Sequence, residues 1–301
     1  MILLIDGTNL AFVTNAIGSM ARKDGFPTRA IAGTLKSLRS YVTHFQPSKI
    51  FVAWDGGKSK KRMALHPGYK ASRKLEEKTP EQRMDFEELL LQLPIIKQAV
   101  ADLGLFTMEG PGIEGDDLIA LLAKTSARSS HQAVIISSDS DFHQLVTENI
   151  SVYSTVSKKT GRHVTYTNFA KIHNGLRPDQ YLEFKALQGD KSDDIPGVKG
   201  IGEKTAAKLL NDFGTVDDWR LKVSMGEHKP TKTQSKIIDQ WPDYQMSKAM
   251  IDLHSPLADF TTAELKYQEP NYGNVRKMAL EFQISEIFMD FSTWVRPFKE
   301  M

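Results

Sequence analysis

Acidic side chains recur in this chain at places where they could do chemistry together. Asp6 directly follows the apolar run MILLI, and Asp55 directly follows IFVAW. Asp139 and Asp141 follow AVIIS after a serine pair, and Glu114, Asp116 and Asp117 crowd into GIEGDDLIALL. Asp190, Asp193 and Asp194 lie within five residues of one another in GDKSDDIPGVKGIGEKTAAKLL. A single such Asp is ordinarily a turn or helix cap, and acids before LIALL also suit a helix N-terminus. Three buried-looking strands each ending in acid exceed what capping needs. If these groups converge they require a counter-charge, and an all-oxygen donor set favours hard cations, Mg²⁺ or Mn²⁺. Two such ions ~4 Å apart suit phosphodiester cleavage. Structural Ca²⁺ lacks the loop of an EF-hand to support it.

The elements that must position these acids follow from hydrophobic periodicity. Met1–Ile5, Ile50–Trp54 and Ala133–Ser137 are continuous apolar runs, the pattern of strands buried on both faces. Leu105–Glu109 and Ser151–Thr155 are candidates for two more. Ile31, Leu35, Leu38, Val42 and Phe45 give Thr28–Phe45 a helical stripe. Met84–Leu103 is helical in pattern, with Pro94 placed to kink it and Gly104 to end it. Asp116–Lys124 completes an alternation of strands and helices, which argues for an α/β fold with a mostly parallel sheet. In open parallel sheets ligands bind at the carboxyl ends of the strands. From about Asp179 the pattern is mainly helical.

Bulk composition excludes several classes. There is no cysteine, hence no disulfide or thiolate metal site. No apolar run approaches the ~20 residues of a membrane span, and MILLIDGTNL does not resemble a signal peptide, so the expectation is a soluble cytoplasmic protein. Net charge is only +2 over 301 residues. Its distribution is more informative: Lys58, Lys60, Lys61, Arg62, Lys70, Arg73 and Lys74 fall in one stretch without an acid. A solvated loop and a phosphate-contacting element are both compatible with that run.

Two motif readings fail on single positions. IDGTNL approaches the haloacid-dehalogenase opening, but its nucleophilic aspartate would fall at Leu4. GVKGIGEKT approaches a P-loop, but Glu203 stands where lysine is required, and it is not a dinucleotide-binding G-x-G-x-x-G. What remains is a glycine hairpin, 197–202, feeding a helix. Gly200 and Gly202 permit tight backbone turns, free amides at the helix start can grip phosphate, and Lys199, Lys204 and Lys208 add charge. This is the pattern of helix–hairpin–helix elements that hold duplex DNA by its backbone; an ordinary helix-turn-helix packing unit is the alternative.

The ordered series IDGTNL, AWDGG, HPGYKASR, GIEGDD, SSDSDF and GDKSDDIPGVKGIGEKTA resembles the 5′ nuclease/flap endonuclease family, over roughly Met1 to Gly214. The resemblance implies an α/β core with a mostly parallel sheet of PIN-like type, a helical arch at about 56–95, and a C-terminal helical subdomain of helix–hairpin–helix type. The expected division is 1–178 and 179–301. It implies that Asp6, Asp55, Glu114, Asp116, Asp117, Asp139, Asp141, Asp190 and Asp193 serve two Mg²⁺ ions, directly or through water, with Mn²⁺ as a substitute. Asp194 falls where relatives usually have Asn and is expected to act as a support or cap. Lys70 and Arg73, three apart and hence on one helix face, would clamp the scissile phosphate, and Tyr69 would stack on a base. Lys199, Gly200, Gly202 and Lys204 would contact duplex DNA, and backbone carbonyls near Val198 and Ile201 would hold K⁺. The implied activity is 5′→3′ exonuclease and flap endonuclease, with RNA in hybrids as a further possible substrate. The expected partner of this monomer is nicked or branched DNA with a 5′ end or flap, in the cytoplasm of a bacterial or phage-infected cell. A non-catalytic structure-specific DNA-binding protein and a PIN-type ribonuclease are the alternatives.

Overall fold

Strands with no polar face must be covered on both sides, and that requirement organises the chain. The computed structural model describes all residues except 19, 74–77, 157–161 and 256–257; Lys74 of the basic run therefore lies outside the described residues. In chain order the elements are β1 (Ile2–Asp6), α1 (Gly7–Asn15), α2 (Arg29–Phe45), β2 (Lys49–Ala53), α3 (Lys60–Leu65), α4 (Pro80–Asp102), β3 (Phe106–Glu109), α5 (Gly115–Arg128), β4 (Ala133–Ile136), β5 (Ile150–Tyr153) and β6 (His163–Val164). There follow α6 (Phe169–Ile172), α7 (Tyr181–Gln188), α8 (Glu203–Phe213), α9 (Val216–Ser224), α10 (Lys232–Asp239), α11 (Trp241–Ile251), β7 (Glu264–Lys266), α12 (Tyr272–Glu281), α13 (Ser285–Phe288) and α14 (Phe291–Lys299).

The strands form one sheet in the order β6-β5-β4-β1-β2-β3-β7. The five inner strands are parallel, while β6 and β7 join antiparallel at the edges. β1 lies between β2 and β4, with Asp6 level with Ala53 and Ile5 level with Ile136. Strand order reverses between β1 and β4, the kind of switch point at which such sheets bind ligands. Alternate residues feed two cores. Ile2, Leu4, Ala133 and Ile135 face a layer containing α5, α7 and α8. Leu3, Ile5, Ile50, Val52, Val134 and Ile136 face the layer of α2, α4, α12 and α14. The expected α/β class with a mostly parallel sheet and a helical C-terminal part is what the chain forms.

Some local expectations change. Helix α4 starts on a capping box of Thr79 and Gln82 and runs through Pro94 to Asp102. Proline leaves the carbonyl four residues earlier without its usual donor. That residue is Leu90, on an exposed part of the helix, where water can serve instead. Gly104, at φ +77, terminates the helix as expected. The C-terminal part is mainly helical as expected, but a short strand interrupts it. β7 returns to pair with β3, α12 packs on α4, and α14 packs on α2. The residues of β7 are exposed, so no apolar alternation announced a strand there.

Two left-handed glycines build the loop between α7 and α8. Gly189 ends α7 at φ +74, and Gly197 stands beside it at φ +61. A Cβ on Gly197 would lie 2.3 Å from the Gly189 nitrogen, and one on Gly189 would lie 2.3 Å from the Ile195 carbonyl. The backbone between them closes through reciprocal Asp190–Ile195 hydrogen bonds of 2.8 Å. Gly202 differs from the expectation: it caps α8 with φ −103, and the left-handed hairpin residue is Gly200, at φ +91. Gly197→Ala is expected to cost more than about 2 kcal/mol of stability through backbone strain and clash. Gly202→Ala, into open space, is expected to cost under about 1 kcal/mol as a lost favourable cap. Chemical denaturation of both variants measures the contrast.

Candidate metal centre and nucleic-acid interface

Neighbouring strands lie roughly 4.8 Å apart, so the ends of β4, β1 and β2 bring Asp139, Asp6 and Asp55 to one edge. Each is then fixed locally. Asp6 caps α1, accepting from the Asn9 amide at 2.9 Å and from the Ser137 hydroxyl at 3.0 Å. Ser137 also accepts from the Asp139 amide at 3.1 Å, so one hydroxyl joins two strand ends. Asp55 accepts from the Gly115 amide at 2.6 Å, which ties β2 to the start of α5. Asp139 accepts from the Asp141 amide at 2.8 Å. The loop after α7 is drawn in by Lys185, whose ammonium lies 2.9 Å from both Asp141 and Asp190. Asp190 further accepts from the Ser192 amide and hydroxyl.

The electrostatics show one shared field. Burial first, then repulsion from Asp55 and Asp139, pushes the Asp6 carboxyl up to about 7 despite its two hydrogen bonds. Burial and Asp139 push Asp141 up to about 7 against the pull of Lys185. Asp116 is raised well above the ordinary value by burial and by Asp139, Asp6 and Asp55. Asp193 is raised by burial, with Lys70 and Arg73 opposing and Asp190 and Asp139 adding to it. Burial also opposes ionisation of Asp190, but Lys185 and Ser192 outweigh it and hold that carboxyl low. An acid with its folded pKa raised from near 4 to about 7 loses stability as pH rises through that interval, and the whole penalty is present above 7.

Asp6, Asp55, Asp116, Asp139, Asp141, Asp190 and Asp193 are thus brought together. Among the described residues no three acidic or imidazole side chains stand close enough together to hold a metal ion as they are placed. Instead, Lys185 stands between Asp141 and Asp190, and Arg73 stands against Asp193. An all-oxygen donor set short of positive charge fits a hard divalent cation.

Two expected ligands are engaged otherwise. Asp117 is 0% exposed and gives both oxygens to Arg62 at 2.7 Å. Glu114 accepts from Lys70 at 2.6 Å with one oxygen, and with the other from Tyr69 and Arg62 at 2.9 and 2.7 Å. Lys70 and Arg62 hold Glu114 ionised, overcoming the penalty of burial.

The basic segment also departs from expectation. Lys70 has a left-handed backbone at φ +53, followed by a short 3-10 turn, Ala71–Arg73. Lys70 and Arg73 therefore do not share a helix face: Lys70 is 8% exposed and turned inward, while Arg73 is exposed. Tyr69 is 5% exposed and packs with Ile195, Met250 and Ile251, so its ring is not offered to a base. Asp194 does act as a cap, accepting from the Ser72 amide and hydroxyl at 2.8 Å.

At the hairpin, Lys199, Gly200, Gly202 and Lys204 are exposed. The Gln240 amide brackets Lys199, accepting from its N–H at 2.8 Å and donating to its carbonyl at 3.3 Å. Val198 and Ile201 are buried, and the Val198 carbonyl accepts from the Ile201 amide at 3.0 Å. In the sequence Arg62 is only one member of a charge run, and nothing there marks Asn9 or Ser137 as functional. Lys185 did carry a signal, as the one cation in the largely apolar YLEFKALQ. Among the described residues no helix is long and apolar enough to cross a membrane.

Residues 1–173 match the family model for the 5′-3′ exonuclease N-terminal resolvase-like domain, and residues 176–273 match that for the 5′-3′ exonuclease C-terminal SAM fold. The 5′-3′ exonuclease of Bacillus subtilis is 35% identical over 265 residues, 85% of this chain and 85% of that protein. Thermostable DNA polymerase I of Thermus thermophilus is 35% identical over 297 residues, 98% of this chain but 34% of the polymerase. The chain thus spans about a third of the length of that relative. Among solved structures, bacteriophage T5 D15 flap endonuclease, in a pseudo-enzyme-product complex with DNA and metal ions, is similar at TM-score 0.71 and 21% identity. That match covers 100% of this chain and 99% of the phage chain. A zinc-bound T5 5′-exonuclease gives TM-score 0.71 at 22% identity, covering 99% and 98%. At these identities the likeness concerns the fold.

The crowded acids make a direct expectation for metal-free protein. Asp6→Asn in EDTA at pH 8 should melt about 2–5 °C higher than the wild type, because a desolvated charge is removed. Added Mn²⁺ should stabilise the wild type more than the variant. Calorimetric melting with and without the ion measures both.

Proposed function

The chain belongs to the 5′-3′ exonuclease family, and on that premise we propose that it hydrolyses DNA phosphodiesters as a 5′→3′ exonuclease and 5′-flap endonuclease dependent on Mg²⁺. What supports this reading is the mutual repulsion that links Asp6, Asp55, Asp116, Asp139, Asp141, Asp190 and Asp193 near the switch point of the sheet, with an exposed glycine hairpin in the loop after Asp193. Asp6, Asp55, Asp116, Asp139, Asp141, Asp190 and Asp193 would hold two divalent ions. Bound ions supply Lewis acidity and neutralise the clustered negative charge.

The protein's own groups have separable tasks. Ser137 and Asn9 orient Asp6, and Lys185 keeps the Asp190 loop against Asp141. Arg73 can reach a phosphate more readily than Lys70, since its side chain is half exposed and is held by the Asp193 carboxylate and the Ser192 carbonyl. Lys70 can do so only by leaving Glu114. The amides at the start of α8, with Lys199 and Lys204, bind duplex phosphate without reading bases. A K⁺ ion on the carbonyls near Val198 and Ile201 would strengthen that grip. The substrate is a nicked or branched duplex with a 5′ end or flap, taken by a monomer.

The test is a labelled 5′-flap duplex incubated with Mg²⁺ or with EDTA. Mg²⁺-dependent cutting is the expected result; binding without cutting would establish a non-catalytic DNA-binding protein instead. Preferential competition by single-stranded RNA would favour a PIN-type ribonuclease. Asp139→Asn and Asp190→Asn should each lower cleavage on the order of a thousandfold or more while duplex binding survives in a gel-shift assay. Lys70→Ala should lower turnover by roughly a hundredfold with a much smaller change in Kd, measured by single-turnover kinetics against anisotropy.

A further inference from the structure

Arg62 is 3% exposed, and its guanidinium makes four hydrogen bonds to three residues, Met250 on α11 and Glu114 and Asp117 at the start of α5. Nε donates to the Met250 carbonyl at 3.0 Å, near the end of α11. One terminal nitrogen donates to both Glu114 and Asp117 at 2.7 Å, and the other donates to Asp117 at 2.7 Å. Arg62 itself lies on α3, a six-residue helix capped by Ser59, whose hydroxyl accepts from the Arg62 amide at 3.3 Å. The guanidinium therefore joins the basic segment, the acid-bearing start of α5 and the helical part of the chain.

We propose that Arg62 is a positioning residue: locked by Asp117, it aims Glu114 at Lys70 and Tyr69, and so sets where the basic segment stands over the strand-end carboxylates. Asp117 commits both oxygens to this pair and takes no divalent ion. Three features carry the assignment. A two-pronged guanidinium–carboxylate pair fixes orientation as well as distance, which an ammonium cannot do. Glu114 receives Arg62 and Tyr69 on one oxygen and Lys70 on the other, so its rotation is determined by groups on both sides. Lys70 is additionally held through its backbone N–H, which donates to the Asp193 carbonyl at 3.0 Å. The position of Lys70 is thus set from two sides, by the Glu114 carboxylate just before α5 and by the Asp193 backbone carbonyl in the loop after α7.

This inference rests on the nuclease reading, and the experiment separates the two. Wild-type protein is first assayed on the flap duplex with Mg²⁺; no cutting there would defeat the nuclease reading and leave the binding measurements below to judge Arg62 and Asp117. Mn²⁺ titration calorimetry on Asp117→Asn should return the wild-type number of ions with affinities within about twofold, whereas loss of an ion would overturn the proposal. Arg62→Lys keeps the charge but loses the fork. Its kcat should fall by about tenfold or more while KM stays within about threefold, and trypsin should cut faster between Lys58 and Arg73. Should Arg62→Lys fail to fold, the double variant Arg62→Met with Asp117→Leu removes both buried charges together and is expected to show the same kcat loss and the same trypsin sensitivity. Wild-type kcat and wild-type protease resistance in whichever folded variant is obtained would overturn the proposal.

Discussion

Mutual repulsion among carboxylates taken out of water is the constraint on which the rest of this structure depends. The parallel strands deliver acid to one edge, and burial there raises the cost of negative charge on Asp6, Asp116 and Asp141. The protein answers with positive charge placed at defined points. Lys185 bridges Asp141 and Asp190, Arg73 faces Asp193, and Lys70 and Arg62 satisfy Glu114 and Asp117. These cations do not neutralise Asp6, Asp55, Asp116 and Asp139 equally. The remaining deficit lies at the sheet edge, where Asp6 and Asp116 stay raised.

The two kinds of cation differ in what they can do. Arg62 is buried and doubly paired, so its contribution is to geometry. Arg73 is half exposed and paired to one acid, so it can exchange partners. Lys70 lies between these cases: its ammonium is enclosed, but it sits on an isolated left-handed residue at the start of a short turn rather than within a stable helix. The segment therefore has a fixed base at Arg62 and a less constrained end toward Arg73.

Much of this was legible in the sequence, for a physical reason. Strands covered on both sides must be continuously apolar, so MILLI, IFVAW and AVII declared themselves, and the acids after them had to fall at one edge. What the sequence concealed was which acids would be pre-empted. Asp116 and Asp117 are adjacent, yet one joins the cluster and the other points to Arg62, because successive helical residues face about 100° apart. Tyr69 and Lys70 looked like surface groups in a basic run, and only the partners Glu114 and Ile195 explain their burial. β7 was hidden because an edge strand of exposed, charged residues carries no apolar period.

The return of β7 to β3 matters beyond the count of strands. The helices from α6 to α11 leave the sheet after β6 and are followed by a strand on its opposite edge, so that block is anchored at both ends like a beam on two supports. A beam held in that way cannot swing on a single pivot. The span from the carboxylate edge to the Gly200 turn is thereby tied to the sheet at two edges rather than at one.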